Sequence, residues 1–316
     1  MFSKGWRLLR QPFLFCTGLP ARGLLRLAAA LAICPAFGLP LGGQTLVPLR
    51  GVHDAMDVDI LGRVYVLSRD RCTLSRFSLE GGAPTTIGGQ GWLASQFDQP
   101  AGLWARNGLD ILVADYGNHR VQRFDGTLSY VSELVTRESD KRVERFGYPT
   151  DVALSRFGDL YVCDGENVRV VKFGPQSVYE RAFGGLDAGP GRLLAPLQIE
   201  PGPGDRVYVL DERRVLIYDP FGNFLGKLGE GILRSPTVIF ADDAGAVVVD
   251  GDSTLVFNRE DMLAGVVPSS RLTGLSGAAI RSIVAGAGRM YALTRDGVWV
   301  TPDPRLDFID KESKSP

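Results

Sequence analysis

Phe97-Asp-Gln-Pro100-Ala-Gly-Leu103 returns three times further along the chain: as Phe146-Gly-Tyr-Pro149-Thr-Asp-Val152, as Leu193-Leu-Ala-Pro196-Leu-Gln-Ile199 and as Leu233-Arg-Ser-Pro236-Thr-Val-Ile239. Eight or nine residues after each proline stands a turn glycine, and behind it a short apolar run that ends in Asp115, Asp164, Asp211 or Asp250. Self-similarity with a period of roughly 40–50 residues marks a repeat architecture, in which each unit is one supersecondary module that buries its apolar face only against its neighbours.

Extended outward from these four, the register covers six units. The turn glycines Gly62, Gly108, Gly158, Gly204, Gly245 and Gly288 lie 46, 50, 46, 41 and 43 residues apart. Each precedes a strand-like run of β-branched and aromatic residues, such as Val64-Tyr-Val-Leu67 or Leu160-Tyr-Val-Cys163, followed by a polar turn and an alternating segment such as Arg169-Val-Val-Lys-Phe173. Four strands per unit and six units predict an all-β, six-bladed β-propeller of four-stranded antiparallel blades, an architecture that closes on itself and leaves only short edges. Two β-sandwich domains would not explain one register running from Gly62 to Gly288. The sixth unit supplies only three strands. Residues 45–49 form an orphan strand ahead of the first unit and are expected to complete the last blade, with Pro48 at an edge where its missing N–H costs nothing. The domain boundaries that follow are 1–38 for an export segment, 39–303 for the propeller and 304–316 for a polar C-terminal tail.

Charge is distributed unevenly. The formal net charge is −1, yet the first 44 residues carry Lys4, Arg7, Arg10, Arg22 and Arg26 and no acid, so the rest holds 30 basic and 36 acidic residues, a balance of −6. Leu27–Leu41 is uncharged, rich in alanine and leucine, shorter than a spanning helix requires, and broken by Pro35 and Pro40. A basic flank, an apolar centre and the small-x-small exit Ala36-Phe37-Gly38 describe a secretory signal peptide, with an uncleaved membrane anchor as the alternative. The expected location is therefore secreted or periplasmic, in contact with a membrane only through this segment. A mildly acidic body lacks the basic patch that nucleic acid needs, so no nucleic-acid partner is expected. Cys72 and Cys163 occupy unrelated positions in non-adjacent units and read as separate small core residues.

Leu112-Val-Ala-Asp115-Tyr-Gly-Asn118-His-Arg120-Val-Gln-Arg-Phe-Asp125 resembles the NHL repeat, the recurring unit of six-bladed NHL propellers. The resemblance extends to the glycine-rich lead-ins Gly88–Pro100 and Gly184–Pro196, is clearest in the second to fourth units, and spans about residues 45–303. Asp115, Asn118 and Arg120, with Asp164, Asn167 and Arg169, have a structural reading: the aspartate accepts backbone N–H groups, Gly-Asn forms a tight turn, and the arginine closes a charged pair.

The resemblance implies a binding scaffold for a protein partner or small molecule, acting as a monomer. A metal-dependent lactonase-like or lyase-like enzyme with its site in the central mouth is the competing reading. The three-histidine zinc chemistry of some lyases with related propellers cannot be built from His53 and His119 alone. Calcium, held in the mouth of gluconolactonase-like propellers, would draw on Asp54, Asp57, Asp59, Thr150, Asp151, Gln198, Glu200, Thr237 and Arg281 at the starts of inner strands, where Asp57 and Asp59 share a face. No catalytic residue is assigned and no cofactor is required. Asp54, Asp151, Gln198 and Arg281 break the repeat pattern and are the candidate ligand-binding ring. Trp104 is a further departure, while Tyr65, Tyr161, Tyr208 and Tyr291 recur in register and read as packing between blades.

Overall fold

In the computed structural model, residues 45–49 and 51–308 are described, and they form six four-stranded antiparallel sheets arranged as a six-bladed propeller. The export segment expected at 1–38 and the last part of the tail, from 309, lie outside the described residues. Among the described residues no helix is long and apolar enough to cross a membrane.

The inner strands are Ala55–Val58, Gly102–Trp104, Pro149–Leu154, Pro196–Pro201, Pro236–Asp242 and Ser282–Gly286, one for each of blades one to six. Three of the six begin on a repeated proline and a fourth two residues after one, which suits a ring whose inner strands have one unpaired side. The second strands carry the apolar runs and are buried almost throughout, as Val64 and Tyr65 in blade one or Val207 and Tyr208 in blade four illustrate. The tyrosines Tyr65, Tyr161, Tyr208 and Tyr291 are all buried. The core clusters run across blade boundaries, so that Tyr208 of blade four packs with Ile239 and Val248 of blade five. The fourth strands are the exposed ones, as in Tyr130–Val135.

Thr45–Pro48 pairs antiparallel with Gly297–Pro302, giving the last sheet the order first strand of the chain, Gly297–Pro302, Arg289–Leu293, Ser282–Gly286. The first and last described strands thus meet in one blade. After that blade the tail begins as an anchored segment: Pro304 and Arg305 are buried, and Arg305 is held by Asp303 at 2.7 Å and by Asp242 at 2.6 Å.

The repeated aspartate and the repeated proline belong to one device. Asp115 Oδ1 accepts the N–H of Asp98, two residues before Pro100, at 2.8 Å, while Oδ2 accepts from Asn118 at 2.9 Å and from Arg120 Nε at 2.8 Å. Asp164 accepts the N–H of Gly147 at 3.1 Å and Arg169 Nε at 3.0 Å. Asp211 accepts from Leu194 and Ala195, and Asp250 from Arg234 and Ser235. Each aspartate therefore pins the loop entering its own blade to the turn between the second and third strands. Both loops lie on the same face of the disc, because the second strand carries the chain from the opposite face to this one. Cys72 and Cys163 are buried free thiols, as read from their positions.

Candidate binding face and the closed axis

Side chains of the inner strands bridge neighbouring blades where the backbone ladder is absent. Asp57 of blade one accepts the N–H of Ala105 of blade two at 2.7 Å. Asp151 of blade three accepts that of Ile199 of blade four at 2.9 Å, and Gln198 of blade four that of Ile239 of blade five at 3.0 Å. Ser282 of blade six donates to the carbonyl of Met56 at 3.1 Å, which closes the ring. Gly102 leaves room for this arrangement, since a Cβ there would stand 2.3 Å from Asp151 Oδ1.

Arg106, in the turn after the inner strand of blade two, crosses the axis. Its guanidinium pairs with Glu200 of blade four, donates to the carbonyl of Ala241 of blade five at 2.8 Å, lies 3.6 Å from Asp57 of blade one, and stacks 4.7 Å over the Phe240 ring. One cation thus serves two carboxyls, Glu200 and Asp57, and its field reaches a third, Asp151. Burial pushes Asp57 up, Asp151 up to about 7 and Glu200 up to about 8, the last two only partly offset by hydrogen bonds and the field of Arg106. Burial thus disfavours full ionisation of the three carboxyls together, and Arg106 offsets part of that cost.

The four residues expected to form one ring are divided by the structure. Asp54 and Arg281 meet at 3.0 Å across the junction of blades one and six. Asp151 and Gln198 are turned into bridges between blades. Asp59 departs from expectation too: it lies beyond the inner strand, caps the following turn through the N–H groups of Leu61 and Arg63, both at 2.9 Å, and accepts from Tyr65 Oη at 3.0 Å. Asp57 and Asp59 therefore need no shared cation. Among the described residues no group of three or more His, Cys, Asp or Glu side chains has a metal-binding arrangement. Strand register places Asp57 and Ala153 at the position equivalent to Trp104, through the pairs Asp57↔Tyr65, Ala153↔Tyr161 and Trp104↔Leu112.

The face carrying the loops between blades holds a feature that single-residue reading missed. Arg69 lies 5.2 Å over Tyr116, Tyr116 is 5.1 Å from Tyr148, His119 stands edge-on to Tyr148 at 4.1 Å, and Arg137 lies 5.9 Å over Tyr148. Tyr148 is 40% exposed and sits at φ +47°, a left-handed backbone that a bulky residue adopts only when its surroundings enforce it. His119 does so. Its Nδ1 accepts the Tyr148 N–H at 3.1 Å and Arg137 Nη2 at 3.1 Å, so it must be neutral on that nitrogen, and burial followed by the Arg137 charge lowers its pKa. Glu166 holds Arg137 from the other side at 3.1 Å. The ladder joins blades one, two and three and draws on turns whose repeat positions look ordinary, which is why the sequence gives no separate signal for it.

The NHL repeat profile matches residues 97–124 and 146–173, the second and third blades. The chain is a six-bladed propeller whose second and third blades match the NHL repeat. Protein brain tumor of Drosophila melanogaster is 30% identical over 143 residues, 44% of this chain and 13% of that protein. A probable peptidyl-alpha-hydroxyglycine alpha-amidating lyase of Caenorhabditis elegans is 35% identical over 86 residues, 25% of this chain and 24% of that one. The matched part of the chain thus spans a quarter or less of the length of these relatives. In fold it is similar to virginiamycin B lyase from Staphylococcus aureus, with a TM-score of 0.56 at 13% identity, covering 83% of this chain and 89% of that one.

Proposed function

We propose that this NHL propeller is an exported, non-catalytic scaffold that binds a protein partner through the face of the loops between blades. The observation that carries the reading is the exposed ladder Arg69, Tyr116, Tyr148, Arg137, braced by His119 and held in a strained backbone. Tyrosine and arginine supply large, stiff contact area and are enriched where proteins meet. The formal charge of −6 on residues 45–316, 30 basic against 36 acidic, favours a protein over a nucleic acid as the partner. Export rests on the basic, apolar leader that precedes residue 39.

A lyase-like enzyme is the second reading. It is favoured by Asp151 and Glu200, which hold protons near neutral pH as general acids do. Against it, the lone pairs of Asp57, Asp151 and Glu200 are engaged by backbone N–H groups and Arg106. A photo-crosslinking residue placed at position 148, and in a separate chain at exposed position 262 on the opposite face, tests the proposal in the native host. One discrete protein adduct from position 148, absent from 262 and lost on Arg69→Ala with Arg137→Ala, is the expected result. Equal adducts from both faces, or none from 148, would overturn it.

A further inference from the structure

Each of blades one to five projects an exposed apolar side chain from a turn on the face opposite the ladder. Ile60 and Leu61, Leu109 and Phe157 stand in the turns between first and second strands of blades one, two and three, and are between 63% and 79% exposed. Phe221 and Met262 stand, equally exposed, in the turns between third and fourth strands of blades four and five. Arg156 lies 5.0 Å over the Phe157 ring and Arg181 5.6 Å over that of Phe221. Arg156 is matched by Asp205, whereas Arg181 donates to the Phe221 carbonyl and makes no ion pair among the described residues. Apolar tips with a cation beside them suit a bilayer interface, where rings sit at the headgroup level and guanidinium groups reach phosphates.

The ladder face exposes apolar residues as well, Trp92 and Leu186 among them. What separates the faces is where the chain enters the propeller. In the first strand Pro48 pairs with Gly297, just after the ladder-face turn 294–296, and Thr45 pairs with Val300, further toward the opposite face. The strand therefore starts on the side of the apolar tips. Only Gly42, Gly43 and Gln44 lie in sequence between Thr45 and the uncharged stretch 27–41. Fully extended, they reach about 14 Å. A six-residue strand such as Arg63–Ser68 is longer, at about 20 Å. A bilayer holding residues 27–41 would thus meet the apolar tips rather than the ladder. That stretch is too short to span, and stable attachment by such a segment takes a second contact.

We propose that this face docks on a phospholipid bilayer, with the turn tips of blades one to five inserted at the interface and the ladder directed away from it. The inference does not rest on the function proposed for the ladder face.

The full chain, made in its native host with a photo-crosslinking residue at position 109 or 157, is irradiated in intact cells, with position 148 on the ladder face as the control. Phospholipid adducts from 109 and 157, and none from 148, are the expected result. A second measurement uses the purified full chain and vesicles of equimolar phosphatidylcholine and phosphatidylglycerol. Leu109→Ser with Phe157→Ser should weaken vesicle binding roughly ten-fold or more, through the apolar surface withdrawn from the interface. Leu186→Ser, on the ladder face, should leave it unchanged. All three changes fall at exposed positions, so melting temperatures should match the parent. No lipid adducts from 109 and 157, lipid adducts from 148 as readily as from 157, adducts only to a second copy of the chain or to another protein, or equal vesicle affinity of parent and double variant would overturn the proposal.

Discussion

Asp115 shows how much one side chain can carry in a repeat fold. It is fully buried, and it meets a backbone N–H from the entering loop, the Asn118 amide, the Gln122 amide and the Arg120 guanidinium. Replacing it with alanine strands a buried arginine, which typically costs about 3–5 kcal/mol. The lower end is expected, because Glu133 still holds Arg120 at 2.7 Å. Asp250, its counterpart in blade five, accepts two N–H groups but pairs with no arginine. Asp250→Ala should therefore cost only about 1–3 kcal/mol, the usual desolvation penalty. Denaturant unfolding of both variants checks the ordering, and equal losses would show that the arginine adds nothing. The aspartates were legible in the sequence because they recur. Their partners before each proline were not, since a hydrogen bond between loops leaves no letter of its own.

Among elements, the strand Thr45–Pro48 is the most consequential for closure. It is short, half-buried and at the edge of its sheet, with Leu46 opposite Trp299 and Val47 opposite Val298. Val47 and Leu49 pack on the core that joins blades five, six and one. Half-burial of three aliphatic side chains contributes about 2–4 kcal/mol, plus the ladder hydrogen bonds. A chain beginning at residue 51 should melt about 5–15 °C below one beginning at residue 39, following the usual scaling for domains of this size. Differential scanning calorimetry measures the difference, and coincident melting would remove the strand from any role in closure. The turns between first and second strands are where sequence alignment slips. Gly62 at φ +74° and Gly108 at φ +70° mark both turns, yet the glycine stands one place earlier in the second, so counting from it misplaces the inner-strand residues by one.

For the whole molecule, the axis network makes stability depend on pH. Asp151 and Glu200 have folded-state values of about 7 and 8, above the ordinary carboxylate range, and they face Arg106 and Asp57. The folded chain therefore keeps protons that the unfolded chain has released, and stability falls as pH rises from the ordinary carboxylate range through about 8, then levels off. Asp151→Asn retains an acceptor for the Ile199 N–H and removes one titration. Its stability relative to the parent should rise between about pH 5 and pH 9, with the crossover near neutrality. Thermal melts across that range measure it, and a constant difference would mean that Asp151 is ionised throughout.

Periodicity determined the architecture by itself. Six copies of glycine and apolar strand, four of them ending in aspartate, admit one closed solution, because each unit can bury its faces only against two neighbours. The buried recurring tyrosines and the free cysteines followed from the same register. Tertiary structure alone decided which residues meet at the axis and on the faces. Arg106 and Arg156 both stand two residues before a turn glycine, yet Arg106 turns inward to Glu200 while Arg156 turns outward to Asp205 at 2.7 Å. Asp54, Asp151, Gln198 and Arg281 depart from the repeat alike, yet two form an ion pair and two bridge blades. The physical reason is that a repeat specifies contacts within and between adjacent units. Where six units converge on one axis, a side chain from blade two can meet blades one, four and five at once, and no local pattern encodes that convergence.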